Sequence, residues 1–307
     1  MTRWALGVIT SRNYEIGWRS SVSNIQNRDT VNDSDNVSQM NVPGVRVFIA
    51  LNLIGATGLF IVMMTALFSV SVKRLSTWYS FCTSWIISCV SYSLLTFARQ
   101  QSTQAPDFAL CFIQTALIYS VPPLTSCTTL SLVVQILLNF SASLADVPST
   151  TGINTFATLL IGPYIIFVII FIGVCVYGAQ NPITVVKAER GTYCHSTDGS
   201  WQKVSFGFVI AVSLVIVVIQ AYLARRLYQN RKIMEWKSTT IAMTLRGLLF
   251  SLIGLITVMA AMAFIITSSH NLNFDIILAM LPVLAFVVFG TQNDLLMVWF
   301  RSCLLAG

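Results

Sequence analysis

The chain has 307 residues, 55% of them hydrophobic and only 9% charged, where a soluble domain carries about 25% charged residues. So much apolar side chain exceeds what a core alone accounts for, and the bilayer must be the solvent for much of the chain. The formal charge is +7, but the basic residues stand at the ends of apolar runs and form no solvated patch, which excludes a nucleic-acid binder and reads as membrane topology.

Residues 1–45 are polar and read as a disordered extracellular tail. No short apolar stretch near Met1 marks a cleaved signal peptide. Two sequons, Asn32-Asp33-Ser34 and Asn36-Val37-Ser38, make Asn32 and Asn36 candidate glycosylation sites. The first apolar run, Val47–Val72, is too long for a signal-peptide core and should persist as a helix.

An α-helical crossing needs about 20 mainly apolar residues. Seven runs qualify: Val47–Val72, Trp78–Phe97, Phe108–Phe140, Thr155–Tyr177, Val204–Arg225, Ile241–Ser268 and Phe274–Phe300. None alternates at period two, so a membrane β-barrel is excluded. The expected fold is an all-α membrane protein, a seven-transmembrane helix bundle over 46–301, with a very short cytoplasmic tail at 302–307.

Basic residues in the short loops set the orientation. With the N-terminus outside, the inner side holds Lys73, Arg74, Arg225, Arg226, Arg231, Lys232, Lys237 and Arg301. The outer loops hold Arg99, Lys187, Arg190 and Lys203, and the N-terminal side adds Arg46 and Arg28. The bias is modest and favours an outside N-terminus and a cytoplasmic C-terminus.

Span two carries Ser80, Ser84, Ser88 and Ser91 on one helical face, a stripe that reads first as close packing. Span three contains Pro122-Pro123. These residues lack N–H groups, so the carbonyls near Ile118 and Tyr119 lose helical partners. In lipid such a break must be buried in the bundle, and the hydroxyls of Thr125, Ser126, Thr128 and Thr129 are at hand. A packing kink and a functional hinge both fit. Ser91, Tyr92, Gln114, Tyr119 and Asp275 fall near the outer ends of their spans and are candidates for lining a pocket.

Of seven cysteines, Cys82, Cys89, Cys127 and Cys175 fall inside spans and read as small apolar residues. Cys303 is a candidate for palmitoylation. Cys111, at the outer start of span three, and Cys194, in the long loop before span five, both face the oxidising side. A bridge between them would pin that loop over the bundle mouth; two free thiols are the alternative.

Charges inside spans are costly. Arg246 and Asp294 both fall near the inner boundary, at the start of span six and the end of span seven, and an ion pair between them would hold the two spans in a resting state. Snorkelling of Arg246 to the headgroups is the alternative. The basic loop with Arg225, Arg226, Arg231 and Lys232 reads either as lipid anchoring or as a docking surface for a cytosolic partner.

The only histidines, His195 and His270, lie in loops, and no His or carboxylate cluster lies within the spans, so no metal site, cofactor or enzymatic activity is expected. Residues 274–300 contain no lysine, which excludes a retinal Schiff base. A secondary transporter, or another non-signalling multi-span protein, is the alternative reading. Its broken helix would fit Pro122-Pro123, although the other half has no matching proline pair.

The seven-span layout with Cys111 and Cys194 resembles the G protein-coupled receptor superfamily. More closely, TWYSFCTSWIISCVSYSLL (Thr77–Leu95), LCFIQTALIYSVPPLTSC (Leu110–Cys127), YGAQNP (Tyr177–Pro182) and Tyr193-Cys194-His195 look like the orphan seven-helix receptor-like proteins of mushroom-forming fungi. The resemblance covers Val47 to Arg301. The proline in span three is distantly similar in layout to the fungal pheromone receptors. The resemblance implies a plasma-membrane receptor with an unknown extracellular ligand, signalling to a heterotrimeric G protein through the cytoplasmic ends of spans five and six.

The motifs of rhodopsin-like receptors do not carry over. The inner end of span three reads Gln135-Ile136-Leu137-Leu138-Asn139-Phe140 in place of the D/E-R-Y triplet. The middle of span six, Thr257-Val258-Met259-Ala260-Ala261, lacks the proline of C-W-x-P. Span seven has Pro282 and ends Thr291-Gln292-Asn293-Asp294 in place of N-P-x-x-Y.

Overall fold

The computed structural model describes residues 42–69, 74–101, 106–144, 152–188, 192–229, 246–257 apart from 248, 272–292 and 294–299. Almost all of this is helix. Four helices are long and apolar enough to cross a membrane, Pro43–Phe68, Phe108–Ala142, Asn154–Gln180 and Ser200–Gln229, and Asp275–Gly290 is a shorter apolar helix. The chain is a multi-pass, helical membrane protein.

Helix α1 spans Val42–Phe68, starting five residues before the expected Val47. Pro43 in its first turn explains the early start, because an N–H that would have no partner there is not missed. Helix α2 spans Ser76–Tyr92 and does not continue to Phe97 as expected. The Ser93 N–H turns back to the Cys89 and Val90 carbonyls at 3.0 and 3.2 Å, and a short helix α3, Leu94–Phe97, follows. It ends with Arg99 at φ 57°, while the Gln100 and Arg99 N–H groups bond the Leu95 and Thr96 carbonyls. This is a Schellman cap with arginine where glycine is usual.

Helix α4, Phe108–Leu144, runs through Pro122 and Pro123. Helix α5 spans Ile153–Gln180. After a single 3-10 turn at Pro182–Thr184, strands β1 (Val185–Lys187) and β2 (Cys194–Ser196) pair antiparallel, Val186 opposite His195. Helix α6 spans Ser200–Gln229. Residues 246–257 are helical where described. Helix α7, Leu272–Gly290, stops ten residues before the expected Phe300. The chain turns at Thr291 and Gln292, and 294–299 form a separate helical turn. Gly290 is the last residue of the helix, and the Thr291 N–H still bonds the Val287 carbonyl at 3.2 Å.

Helix α4 is central. It packs against α2, α5, α6 and both strands, while α1 packs against α2 and α7. Side-chain contacts give the helix directions. Phe48 meets Tyr92, and Met63 meets Thr83, so α1 and α2 are antiparallel. Thr77 bonds Gln135 and Ser84 bonds Thr128, so α2 and α4 are antiparallel. On α1, Gly55, Gly58 and Val62 meet Pro282, Phe286 and Gly290 of α7 in the same order, so these two helices run parallel. Arg246 reaches Thr291, and Phe250 packs at a tilt against Phe289, so residues 246–257 oppose α7.

Two features make the core dense. A Cβ on Gly55 would lie 2.8 Å from Pro282 Cβ, and one on Gly58 would lie 2.5 Å from the Phe286 ring. Small residues thus let α1 and α7 approach closely, as in other membrane bundles. Phe81, Trp85, Phe250 and Phe289 form a cluster with ring centroids 5.2–6.2 Å apart, joining α2, α7 and the 246–257 helix through edge contacts.

Candidate functional site

The hairpin end of the bundle is built around α4. Cys111 is disulfide-bonded to Cys194, with a Cα–Cα distance of 5.3 Å. Three residues on, the fully buried Gln114 uses both ends of its amide. Its Nε2 donates to the Ser91 carbonyl at 3.1 Å, and its Oε1 accepts the Cys194 N–H at 3.0 Å. Five residues further, the Tyr119 hydroxyl accepts the Ser196 N–H at 3.0 Å and sits 3.4 Å from the Ser196 carbonyl. The offsets of three and five keep all three residues on one side of the helix. Strand β2 is therefore fixed to α4 by a covalent bond and two side-chain clamps.

The residues before β2 turn the other way. Thr192 Oγ1 and the Tyr193 hydroxyl donate to the two oxygens of Asp275, at 3.3 and 3.2 Å. Tyr193 also closes a ring triad: its centroid lies 5.6 Å from Tyr92 and 6.3 Å from Phe48, and these two are 5.9 Å apart. Burial, reinforced by the negative charge of Asp275, raises the Tyr193 pKa well above 10.0. Lys187 on β1 donates to the Gln101 carbonyl at 2.7 Å, and burial lowers its pKa. The loop is thus tied to α1, α2, α4 and α7 together.

All five pocket candidates come to this end, where among the described residues they are engaged with the hairpin or with their own helix. Gln114 and Tyr119 hold the hairpin, Ser91 bonds the Ile87 carbonyl of its own helix at 2.7 Å, and Tyr92 and Asp275 hold Tyr193. The small cavity nearby, about 10 Å³, touches Phe112, Thr115, Tyr177, Ser196 and Trp201 and none of the five. It is about the size one water needs. Sequence reasoning missed Phe48, Thr192 and Tyr193, since only the folded loop brings Thr192 and Tyr193 to Asp275 and Tyr193 to Phe48.

The serine stripe of α2 is buried. Ser84 bonds Thr128 on α4 at 2.8 Å, and Ser80 bonds Tyr164 on α5 at 3.2 Å, so it serves packing. Around the proline pair, Val121, Pro123 and Leu124 are buried, as a break in lipid requires. The hydroxyls act differently from expectation. Thr125 and Ser126 bond the carbonyls of Pro122 and Pro123, while Thr128 and Thr129 bond that of Thr125. None of the four reaches Ile118 or Tyr119. A hydroxyl reaches the carbonyl three or four residues before it in a helix, which places those two carbonyls out of range.

At the opposite end the expected ion pair is corrected. Asp294 pairs with Arg74, at 2.6 Å, and not with Arg246. Arg246 donates to the Thr291 carbonyl at 3.1 Å. The break after Gly290 carries Asp294 out of α7 and toward the loop before α2. Only 7% of the Arg74 side chain is exposed, and its guanidinium lies 5.8 Å from the Trp78 ring centroid. Trp299 Nε1 donates to Thr65 Oγ1 at 3.0 Å, so the 294–299 turn is tied to both α1 and the α2 entry. Beside it, both amide atoms of the buried Gln292 find no hydrogen-bond partner among the described residues.

Arg225 and Arg226 are exposed near the end of α6, with Arg226 Nε on the Tyr222 hydroxyl at 2.9 Å. Arg231, Lys232, Asn32, Asn36 and Cys303 lie outside the described residues. No metal-binding group of His, Cys, Asp or Glu occurs among the described residues. No protein-family profile matches the chain, and no curated protein matches it.

Proposed function

We propose that this protein is a seven-span plasma-membrane receptor, N-terminus outside, that senses an extracellular ligand at the hairpin end and signals to a heterotrimeric G protein at the other. The observation that carries the reading is the hairpin bolted to the start of α4 by Cys111–Cys194. A disulfide needs the oxidising side, so the hairpin end is the outer one. The parallel run of α1 and α7 supports the span count. A parallel pair needs an odd number of crossings between its members, and the seven-span reading takes α2, α4, α5, α6 and the segment that contains the 246–257 helix as those five.

The mechanism follows from the two ends. A ligand displacing the Asp275–Tyr193 contact frees the loop flank from α7, while Cys111, Gln114 and Tyr119 keep β2 on α4. The packing of α7 against α1 and of 294–299 against Arg74 then shifts between two arrangements. Arg225, Arg226, Arg231 and Lys232 offer the cytoplasmic partner a basic surface.

The test is complex formation in nanodiscs between the purified full chain and the host Gα subunits after nucleotide removal. The expected result is a nucleotide-free complex, weakened by charge reversal at those four basic residues. Failure with every Gα, alongside substrate flux in proteoliposomes, would replace the receptor reading with a transporter.

A further inference from the structure

We propose that the small cavity beside the hairpin is the binding site of one structural water, held by Ser196, and that this water is a further tie between β2 and the bundle. The proposal goes beyond the receptor reading and needs neither a ligand nor a G protein.

The first observation is the Ser196 hydroxyl. Ser196 is 6% exposed. Its backbone N–H is engaged by the Tyr119 hydroxyl at 3.0 Å, but its Oγ finds no hydrogen-bond partner among the described residues. Burying a hydroxyl without a partner is costly, and nearly all buried polar side chains are met by protein or by ordered water.

The second observation is the space this residue lines. Ser196, Thr115 of α4 and Thr184 of the 3-10 turn border a cavity of about 10 Å³, walled otherwise by apolar groups that include Phe112, Val174 and Trp201. One water needs about 10–15 Å³, so the space takes a single water and nothing larger. Its position is one that a tie would use. Thr115 lies on α4 one turn from both Cys111 and Tyr119, the residues that already hold β2. Thr184 accepts the Thr197 N–H on its carbonyl at 2.9 Å, which brings the 3-10 turn alongside Ser196.

The third observation is the supply of hydrogens. Thr115 Oγ1 donates to the Cys111 carbonyl at 2.8 Å, and Thr184 Oγ1 donates to the Asn181 carbonyl at 2.7 Å. A hydroxyl has one hydrogen and two acceptor lone pairs, so both threonines are left as acceptors, while Ser196 keeps its hydrogen to give. The occupant must therefore accept from Ser196 and donate to a threonine. Water does both. A simple anion has no hydrogen to give and a metal cation has no lone pair, and apolar walls disfavour either charge.

The experiment pairs a density map with a sign test, both on the full chain in nanodiscs. A map at a resolution that shows ordered water should hold one peak within hydrogen-bonding distance of Ser196 Oγ and of Thr115 or Thr184 Oγ1. Ser196→Ala, with the Cys111–Cys194 bond checked, should then lower the unfolding temperature by a few degrees, because it removes a satisfied hydroxyl and loosens the water. In a dry cavity the same variant removes an unpaired buried hydroxyl, and the unfolding temperature would stay level or rise. No peak, a peak out of reach of Ser196, or an unfolding temperature of Ser196→Ala at or above the parent would overturn the site. Should Ser196→Ala not fold, the map of the parent protein decides alone.

Discussion

The Gln114 amide donates to the Ser91 carbonyl at 3.1 Å and accepts the Cys194 N–H at 3.0 Å. One buried side chain thereby joins the broken end of α2 to the hairpin. The break at Ser93 leaves carbonyls of the last turn without helical partners, and Gln114 supplies one.

Replacing Gln114 by Leu leaves both backbone groups buried and unpaired, at about 1–3 kcal/mol for each. Thermal unfolding in nanodiscs should show Gln114→Leu well below the parent protein. Ser91→Ala, whose hydroxyl bonds only its own helix, should show little change.

Cys111→Ser, Cys194→Ser and the double variant should have the same stability, since each removes the same cross-link. The bridge closes a sequence separation of 83, for which loop entropy gives about 4.5 kcal/mol. Denaturation of the three variants side by side checks this, and additive losses would contradict it.

At the other end, Asp294→Ala should destabilise the bundle by about 1–3 kcal/mol, because it strands a nearly buried Arg74. The cost stays at the low end for a buried pair, because 38% of the Asp294 side chain is exposed. The exchange Arg74→Asp with Asp294→Arg should recover part of the loss, and Arg246→Ala should not reproduce it. Basal Gα coupling should rise in Asp294→Ala if this pair restrains the resting packing.

The α1–α7 seam separates two glycines. Gly58→Ala meets the Phe286 ring, and Phe286→Leu should relieve it. Gly55→Ala meets Pro282 side chain and backbone, at 2.8 and 3.1 Å, and Phe286→Leu should not help. Overpacking of this kind costs about 1–3 kcal/mol, readable as a fall in unfolding temperature.

Tyr193 predicts the alkaline limb of stability. Its folded pKa lies above the unfolded value of about 10, so the unfolded chain releases the phenol proton first. Its contribution is fully present below about pH 10 and is lost as pH rises beyond it. Unfolding between about pH 8 and pH 11 should show a shallower alkaline decline in Tyr193→Phe.

Much of this was legible in the sequence because it depends on composition and sidedness. Apolar runs, the cysteines on one side of the membrane, and serines at helical spacing all report on a single segment and its solvent. The pairing of Asp294 was not legible: Thr291-Gln292-Asn293-Asp294 interrupts the apolar run to Phe300, but a polar quartet does not say that the chain turns there or which neighbour Asp294 meets. Gln114 and Tyr119 read as pocket residues from helix position alone. Their role as hairpin clamps depends on where a loop some 80 residues later comes to rest. Ser93 gave no signal at all, since serine is compatible with a continuous membrane helix.

The hairpin fixed to α4 closes one end of the bundle, and the proposed orientation makes that end extracellular. The most direct measurement is non-reducing peptide mapping of the full chain in intact cells, after labelling with a membrane-impermeant lysine reagent. The proposed orientation predicts a linked Cys111–Cys194 peptide with label on Lys203, next to the hairpin, and none on Lys73, the chain neighbour of Arg74. Free thiols at both cysteines, or label on Lys73 and none on Lys203, would contradict it.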